Sequence, residues 1–323
     1  MEENHMRIVF MGTPELSATV LSRLLETDHE IVAAVTQPDR KKGRKGELAM
    51  PPVKELALSK GIEVFQPLKA RDEDFLEAME RIAPDLIVVA AFGQILPERL
   101  LNIPRFGCVN VHTSLLPKYR GASPIQWAVI NGDEVTGVTI MYMAKGLDTG
   151  DVIEQRTVPV EKKETAESLT VKLAKEGGEL LVSVIEKIFA GTAGRTPQND
   201  AEASYVKVIE KSLGDIDFEK SAASIERLVR GLNPWPTAYT FIDGKSVKFW
   251  DCDVCSADET MQKDRGGAVP GEVVYTDSKT LFIKTGEGIL KVNELQLEGK
   301  KRMRTEEFLR GFRLKDGDRF GKR

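Results

Sequence analysis

Cysteine is scarce, with three in a chain of 323 residues. So low and odd a number does not lay down a disulfide framework and fits a reducing compartment. Cys252-Asp253-Val254-Cys255 has the spacing of a metal knuckle, yet no second Cys or His pair follows it. No metal is therefore expected, and both thiols read as strand or turn residues. No apolar run approaches the length of a membrane span, and Met1-Glu2-Glu3-Asn4 lacks the basic start of a secretory signal. The expected location is cytoplasmic, with no membrane partner. After the first strand the chain carries Gly12-Thr13-Pro14-Glu15 where a dinucleotide site needs G-x-G-x-x-G, so a dinucleotide cofactor is disfavoured. No long heptad suggests an obligate dimer, and a monomer is expected. Histidine is as rare as cysteine, and His5 and His29 lie in polar surroundings typical of a surface.

What is present is a globular mixture, 41% hydrophobic and 30% charged, in a chain long enough for two domains. The net charge of -4 conceals an asymmetry: residues 1–205 carry 24 cations against 30 anions, whereas residues 206–323 carry 22 against 20. The stretch 300–323 holds ten cations and four anions, a net of +6. Clustered Lys and Arg on an otherwise acidic protein point to a polyanionic partner; a solvated, frayed tail is the alternative.

Residues 7–11 form a buried-strand pattern that turns directly into a helix, with Thr13 as its cap, Pro14 in its first position and Leu16, Val20, Leu21, Leu24 and Leu25 at helical spacing. A second strand at 31–35 completes a β-α-β unit. Five cations in the six residues 40–45 follow it, Arg40, Lys41, Lys42, Arg44 and Lys45, with glycines at 43 and 46. Emerging at the carboxyl edge of the sheet, they favour a phosphate-contacting lid over a merely solvated loop. The stretch 85–91 is apolar throughout after its first residue, Asp85, as in a strand buried on both faces. Phe92-Gly93-Gln94-Ile95-Leu96-Pro97 leaves that strand as a loop able to hold a flat heteroaromatic ring between backbone amides and apolar side chains; the alternative is that these side chains are core. A helix over 165–189, a linker rich in Gly, Thr and Pro over 191–203, and five short strands between 238 and 295 complete the pattern. The fold class is α/β: an open, mostly parallel Rossmann-like sheet with flanking helices, followed by a small β-barrel of the oligonucleotide-binding type. The expected boundaries are 1–190 for the first domain, 191–209 for the linker and 210–323 for the barrel.

Chemistry concentrates at Asn110-Val111-His112-Thr113-Ser114-Leu115-Leu116-Pro117 and at Gly146-Leu147-Asp148-Thr149-Gly150. Side chains two apart on a strand share a face, so Asn110 and His112 emerge together, a neutral donor beside a titratable base. Open α/β sheets place ligands at such carboxyl ends. Asp148, in a glycine-flanked turn after the strand 135–143, can reach the imidazole. These are the components of an acyl-transfer site.

F-M-G-T-P-E at 10–15, T-Q-P-D-R at 36–40, A-F-G-Q-I-L-P at 91–97, N-V-H-T-S-L-L-P-K-Y-R-G-A-S-P-I-Q-W at 110–127, G-L-D-T-G-D at 146–151 and N-P-W-P-T-A at 233–238 together resemble the methionyl-tRNA formyltransferase family. The Asn, His, S-L-L-P and Asp signature alone resembles the wider group of 10-formyltetrahydrofolate-dependent formyltransferases; the linker, N-P-W-P and barrel carry the likeness to the tRNA enzymes. The resemblance implies formyl transfer from 10-formyltetrahydrofolate to methionyl initiator tRNA, with Asn110 as oxyanion donor, His112 as general base and Asp148 as its orienter. It makes Ser114, Leu115, Leu116 and Pro117 part of the folate site, with the loop at Phe92, Gly93 and Ile95, and it matches Arg44 and its basic neighbours to a loop approaching the tRNA acceptor stem. Thr113 and Leu16 depart from the family pattern, where a smaller residue and an aromatic are common. A formyltransferase acting on an amino sugar, and a folate or RNA binder without catalysis, are the alternative readings.

Overall fold

The computed structural model describes residues 5–42, 46–263 and 266–321. In chain order the strands are β1 (Arg7–Gly12), β2 (Glu30–Val35), β3 (Arg40–Lys42), β4 (Glu47–Ala49), β5 (Glu63–Phe65), β6 (Leu86–Ala90), β7 (Cys108–His112), β8 (Arg120–Gly121) and β9 (Val135–Tyr142). They continue with β10 (Val152–Pro159), β11 (Tyr205–Val206), β12 (Ala238–Ile242), β13 (Lys245–Val254), β14 (Val273–Thr276), β15 (Leu281–Lys284), β16 (Ile289–Leu297) and β17 (Met303–Arg304). By contact density the chain divides into two compact units, one of residues 1–124, 135–159 and 170–207, the other of residues 125–134, 160–169 and 208–323.

The first unit is built on a seven-stranded sheet of order β10-β9-β7-β6-β1-β2-β5. β1, β2, β5, β6 and β7 run parallel, and β9 and β10 add antiparallel to the β7 edge. The order reverses at β1, so the carboxyl ends of β1 and β6 open the crevice in which such sheets bind ligands. β6 is buried at every position, as an all-apolar strand between parallel neighbours should be. Helix Ala166–Phe189 turns Leu173, Leu180, Leu181, Val184, Ile185 and Ile188 inward. Gly177 lets that helix approach β7, since a Cβ there would stand 2.9 Å from Val111 Cγ1.

Several local expectations are corrected. Helix Glu15–Leu24 has Pro14 as its N-cap residue and no side-chain cap. Thr13 Oγ1 instead donates to the Phe92 carbonyl (3.4 Å) and accepts from the Gln37 N–H (3.2 Å), tying the loops after β1, β2 and β6 together. His29 is buried rather than on the surface: its Nδ1 accepts from the Met6 N–H (3.1 Å) and its ring meets Phe189 edge-on. The basic loop is a hairpin, β3 pairing antiparallel with β4. Residues 43–45, among them Arg44 and Lys45, lie outside the described residues.

The second unit carries an antiparallel sheet of order β12-β13-β16-β15-β14, with β17 paired to β16. Its edges β12 and β14 do not pair with each other. Residues 317–321 bond to both: the Val273 N–H donates to the Asp318 carbonyl (2.8 Å) and the Gly321 N–H to the Phe241 carbonyl (3.0 Å). As far as residue 321 the basic terminal stretch is thus folded, not frayed, with Phe308 and Phe320 in the core of this unit. Phe249 meets Phe218 and Phe320 edge-to-face at 6.4 and 5.9 Å, pairs each worth roughly 0.5–1.5 kcal/mol beyond their burial. Among the described residues no helix is long and apolar enough to cross a membrane.

Candidate active site

β7 places Asn110 and His112 on one face, Asn110 opposite Val89 and Met141 and His112 opposite Thr139. Cys108, Val109 and Val111 anchor the strand in the core. Asn110 is half-buried, and its carboxamide has no hydrogen-bond partner among the described residues. His112 is buried, and its Nε2 lies 2.9 Å from the Tyr119 carbonyl oxygen. A carbonyl can only accept, so Nε2 carries the proton and Nδ1 the lone pair. Nδ1 faces Asp148 Oδ2 at 3.7 Å. The tautomer is therefore set by the Tyr119 carbonyl and not by Asp148, the expected orienter, and a proton taken up on Nδ1 would face the Asp148 carboxylate.

The turn bearing Asp148 is shaped by close backbone approach. Asp148 has φ +52°, and a Cβ on Gly150 would fall 1.7 Å from the Tyr142 carbonyl oxygen. Asp148 Oδ2 accepts the Gly121 N–H at 2.8 Å, which aims the carboxylate at the imidazole. Gly150→Ala should lower the unfolding free energy by roughly 1–3 kcal/mol, as overpacking does. A melting temperature equal to that of the parent would contradict this account of the turn.

Ser114, Leu115, Leu116 and Pro117 form a loop tied to the β9–β10 hairpin. Thr139 Oγ1 donates to the Ser114 carbonyl (2.7 Å) and accepts the Leu116 N–H (3.1 Å), while Gln155 Nε2 donates to the Leu116 carbonyl (2.8 Å). Ser114 Oγ is spent on the Lys118 carbonyl (2.6 Å), and Leu116 is buried. That leaves Leu115 and Pro117, both half-buried, as the side chains of this loop open to a ligand. Phe92 is turned into the core, so only its backbone is at the surface of the site; Leu96 is core as well. Ile95 is 80% exposed and Gly93 is exposed. An open apolar side chain beside loop backbone suits a flat heterocycle, and the unclaimed carboxamide of Asn110 suits a carbonyl group.

Two residues at this site were not singled out from the sequence. Arg120 is 1% exposed, and its guanidinium donates to Gln198 Oε1 (3.0 and 2.9 Å), Asp200 Oδ1 (2.8 Å) and Tyr205 Oη (3.0 Å). Burial opposes its charge, and the hydrogen bonds to Asp200 and Tyr205 outweigh that and hold its pKa above the ordinary value. Gln198 Nε2 donates to the Asp148 carbonyl (2.9 Å) and the Gly150 carbonyl (2.7 Å). The segment expected to be a linker is here a strap over the site, its β11 pairing with β8. A lone Gln between Pro197 and Asn199 carries no local signal of such a role.

Arg40 and Lys41 are exposed on the basic hairpin. Its base is pinned by Asp39, which accepts from Lys54 Nζ (2.8 Å) and Gln66 Nε2 (2.8 Å), and these bonds hold its carboxyl below the usual range. Gln66 also reaches the Gln37 carbonyl (2.9 Å), and Gln37 Nε2 reaches the Phe92 carbonyl (3.1 Å), so hairpin and ring loop rise from one edge. All three cysteines are free and buried. Burial pushes the Cys108 thiol up to about 12, Cys255 up to about 11 and Cys252 well above its ordinary value. Among the described residues no cluster of three or more His, Cys, Asp or Glu is arranged to hold a metal ion.

The sequence pattern of the formyl transferase family matches residues 6–185, and that of the formyl transferase C-terminal domain matches residues 208–313. A methionyl-tRNA formyltransferase of Lachnospira eligens is 52% identical over 98% of this chain and 100% of its own length. One from Geobacter sulfurreducens is 45% identical over 98% and 97%. Among solved structures, HypX from Aquifex aeolicus in complex with tetrahydrofolic acid superposes with a TM-score of 0.65 at 20% identity, covering 99% of this chain and 51% of HypX. An N-formyltransferase of Helicobacter canadensis, in complex with folinic acid and dTDP-3-aminofucose, gives 0.65 at 18%, covering 92% of this chain and 100% of that one. These structural likenesses establish the shared fold, and the matched domains with near-half identity over the full length establish more: the chain belongs to the methionyl-tRNA formyltransferase family.

Proposed function

We propose that this protein transfers the formyl group of 10-formyltetrahydrofolate to the α-amino group of methionine esterified to initiator tRNA. The observation that carries the reading is the strand end where the Asn110 carboxamide, with no hydrogen-bond partner among the described residues, stands beside His112, whose Nδ1 lone pair faces Asp148. His112 accepts on Nδ1 a proton from the attacking amino group, and Asp148 stabilises the imidazolium so formed. Asn110 donates to the formyl oxygen as negative charge develops there. The new bond joins the amino nitrogen to the formyl carbon, the bond to N10 breaks, and the proton held by His112 is available to the departing nitrogen.

Leu115, Pro117, Ile95 and the backbone of Phe92 and Gly93 line the folate side, with Ser114 and Leu116 fixing the loop. Arg40, Lys41, Lys42, Arg44 and Lys45 approach the acceptor stem. Catalysis belongs to residues 1–190 and tRNA binding to 210–323, joined through 191–209. The working form is a cytoplasmic monomer that uses no metal.

The test is formyl incorporation into methionyl initiator tRNA, beside free methionine and a nucleotide-linked amino sugar. Rapid transfer to the charged tRNA alone is expected. With three phosphates neutralised, kcat/KM should fall roughly 40-fold between 50 and 200 mM salt. Transfer confined to the amino sugar, or a flat salt response, would overturn the tRNA assignment.

A further inference from the structure

We infer that Gln198 and Arg120 form a positioning pair that holds Asp148 at the distance from His112 needed to stabilise the imidazolium. This rests on the catalytic reading above. The Gln198 carboxamide is used at both ends: Nε2 donates to the carbonyls of Asp148 (2.9 Å) and Gly150 (2.7 Å), and Oε1 accepts two guanidinium N–H groups of Arg120 (3.0 and 2.9 Å). Arg120 in turn lies between the two residues whose backbones touch the site. The carbonyl of Tyr119 accepts from His112 Nε2 (2.9 Å), and the N–H of Gly121 donates to Asp148 Oδ2 (2.8 Å).

The result is a closed circuit. It runs from the imidazole through Tyr119 to Arg120, across Gln198 to the backbone of Asp148, and through the Asp148 carboxylate back to the imidazole. Such a circuit fixes the base and the carboxylate that stabilises its charge against a common buried guanidinium. The Asp148 turn needs the tie, because its backbone is in the left-handed region and its carboxylate makes a single backbone hydrogen bond. Without Gln198 the carboxylate is free to drift from a position only 3.7 Å from Nδ1. Neither residue needs to touch substrate for this.

A double-mutant cycle in the full-length protein tests the inference, using Gln198→Met, Asp148→Asn and their combination, with methionyl initiator tRNA and 10-formyltetrahydrofolate as substrates. Gln198→Met keeps the side-chain volume and removes the hydrogen bonds. The expected result is a kcat about 10- to 100-fold lower, the scale of a misplaced catalytic group, with both KM values within about twofold. In the Asp148→Asn background, Gln198→Met should cost nothing further, because its effect runs through the lost carboxylate. Gln198→Glu, which keeps acceptors for Arg120 and loses both donors to the Asp148 turn, should lose kcat likewise while melting within a few degrees of the parent. An equal loss in both backgrounds, a change confined to KM, or unchanged kcat in the Gln198 variants would overturn the inference. Normal turnover by Asp148→Asn alone would instead strike the catalytic reading beneath it.

Discussion

His112→Ala should lower kcat for formyl transfer by about 10²- to 10⁴-fold, the contribution typical of a positioned general base. The imidazole has one lone pair to offer, on Nδ1, because Nε2 is committed to the Tyr119 carbonyl. The charge formed there meets Asp148 at 3.7 Å, with side-chain exposures of 7% and 13%. Unit charges 4 Å apart attract by roughly 1 kcal/mol in bulk water and about 4 kcal/mol at an effective dielectric of 20. At such low exposure the interaction lies nearer the second value before desolvation is counted. In the proposed mechanism Asp148 thus stabilises the protonated imidazole in a way water could not. Single-turnover kinetics with preformed complexes separate this loss from binding. A variant that retains most of its single-turnover rate would remove His112 from the chemistry.

Asn110→Ala should cost about 10²- to 10³-fold in kcat, the range for loss of one oxyanion donor. The carboxamide makes no hydrogen bond within the described chain, so its removal leaves no orphaned partner and should hardly move stability. Because the donor acts on charge that develops during reaction, KM for the folate should stay near the parent value. Asn110→Asp, which keeps the shape and replaces the donor by an acceptor, should be no better than Ala. Near-normal turnover of either variant would sink the role assigned to Asn110.

Much of the sheet was legible because its strands are long apolar runs ending in turn residues. β1, β2, β6 and β9 lie where their apolar patterns put them, and the i, i+2 rule alone placed Asn110 beside His112. The β3–β4 hairpin was not legible, because three-residue strands of Arg, Lys, Glu and Leu have no periodicity to read. Thr13 read as a helix cap because capping is a local rule, but it is drawn away by Gln37 and Phe92, distant in sequence and adjacent across the sheet edge. The composition of the loop 92–97 left open whether its apolar side chains face a ring or the core; Phe92 and Leu96 went to the core they could fill, and Ile95 stayed exposed.

By itself the sequence determined the α/β class, the strand that carries His112, the glycine turn that carries Asp148, and, through its motifs, the family. Those are properties of residue type and short spacing, and short spacing is physically local. The tertiary structure alone decided which nitrogen of His112 is free, how Asp148 is aimed, and that a segment of linker composition straps the site through Gln198 and Arg120. Each of these depends on a hydrogen bond between groups 7 to 80 residues apart, and such bonds exist only once the sheet has brought its strand ends together.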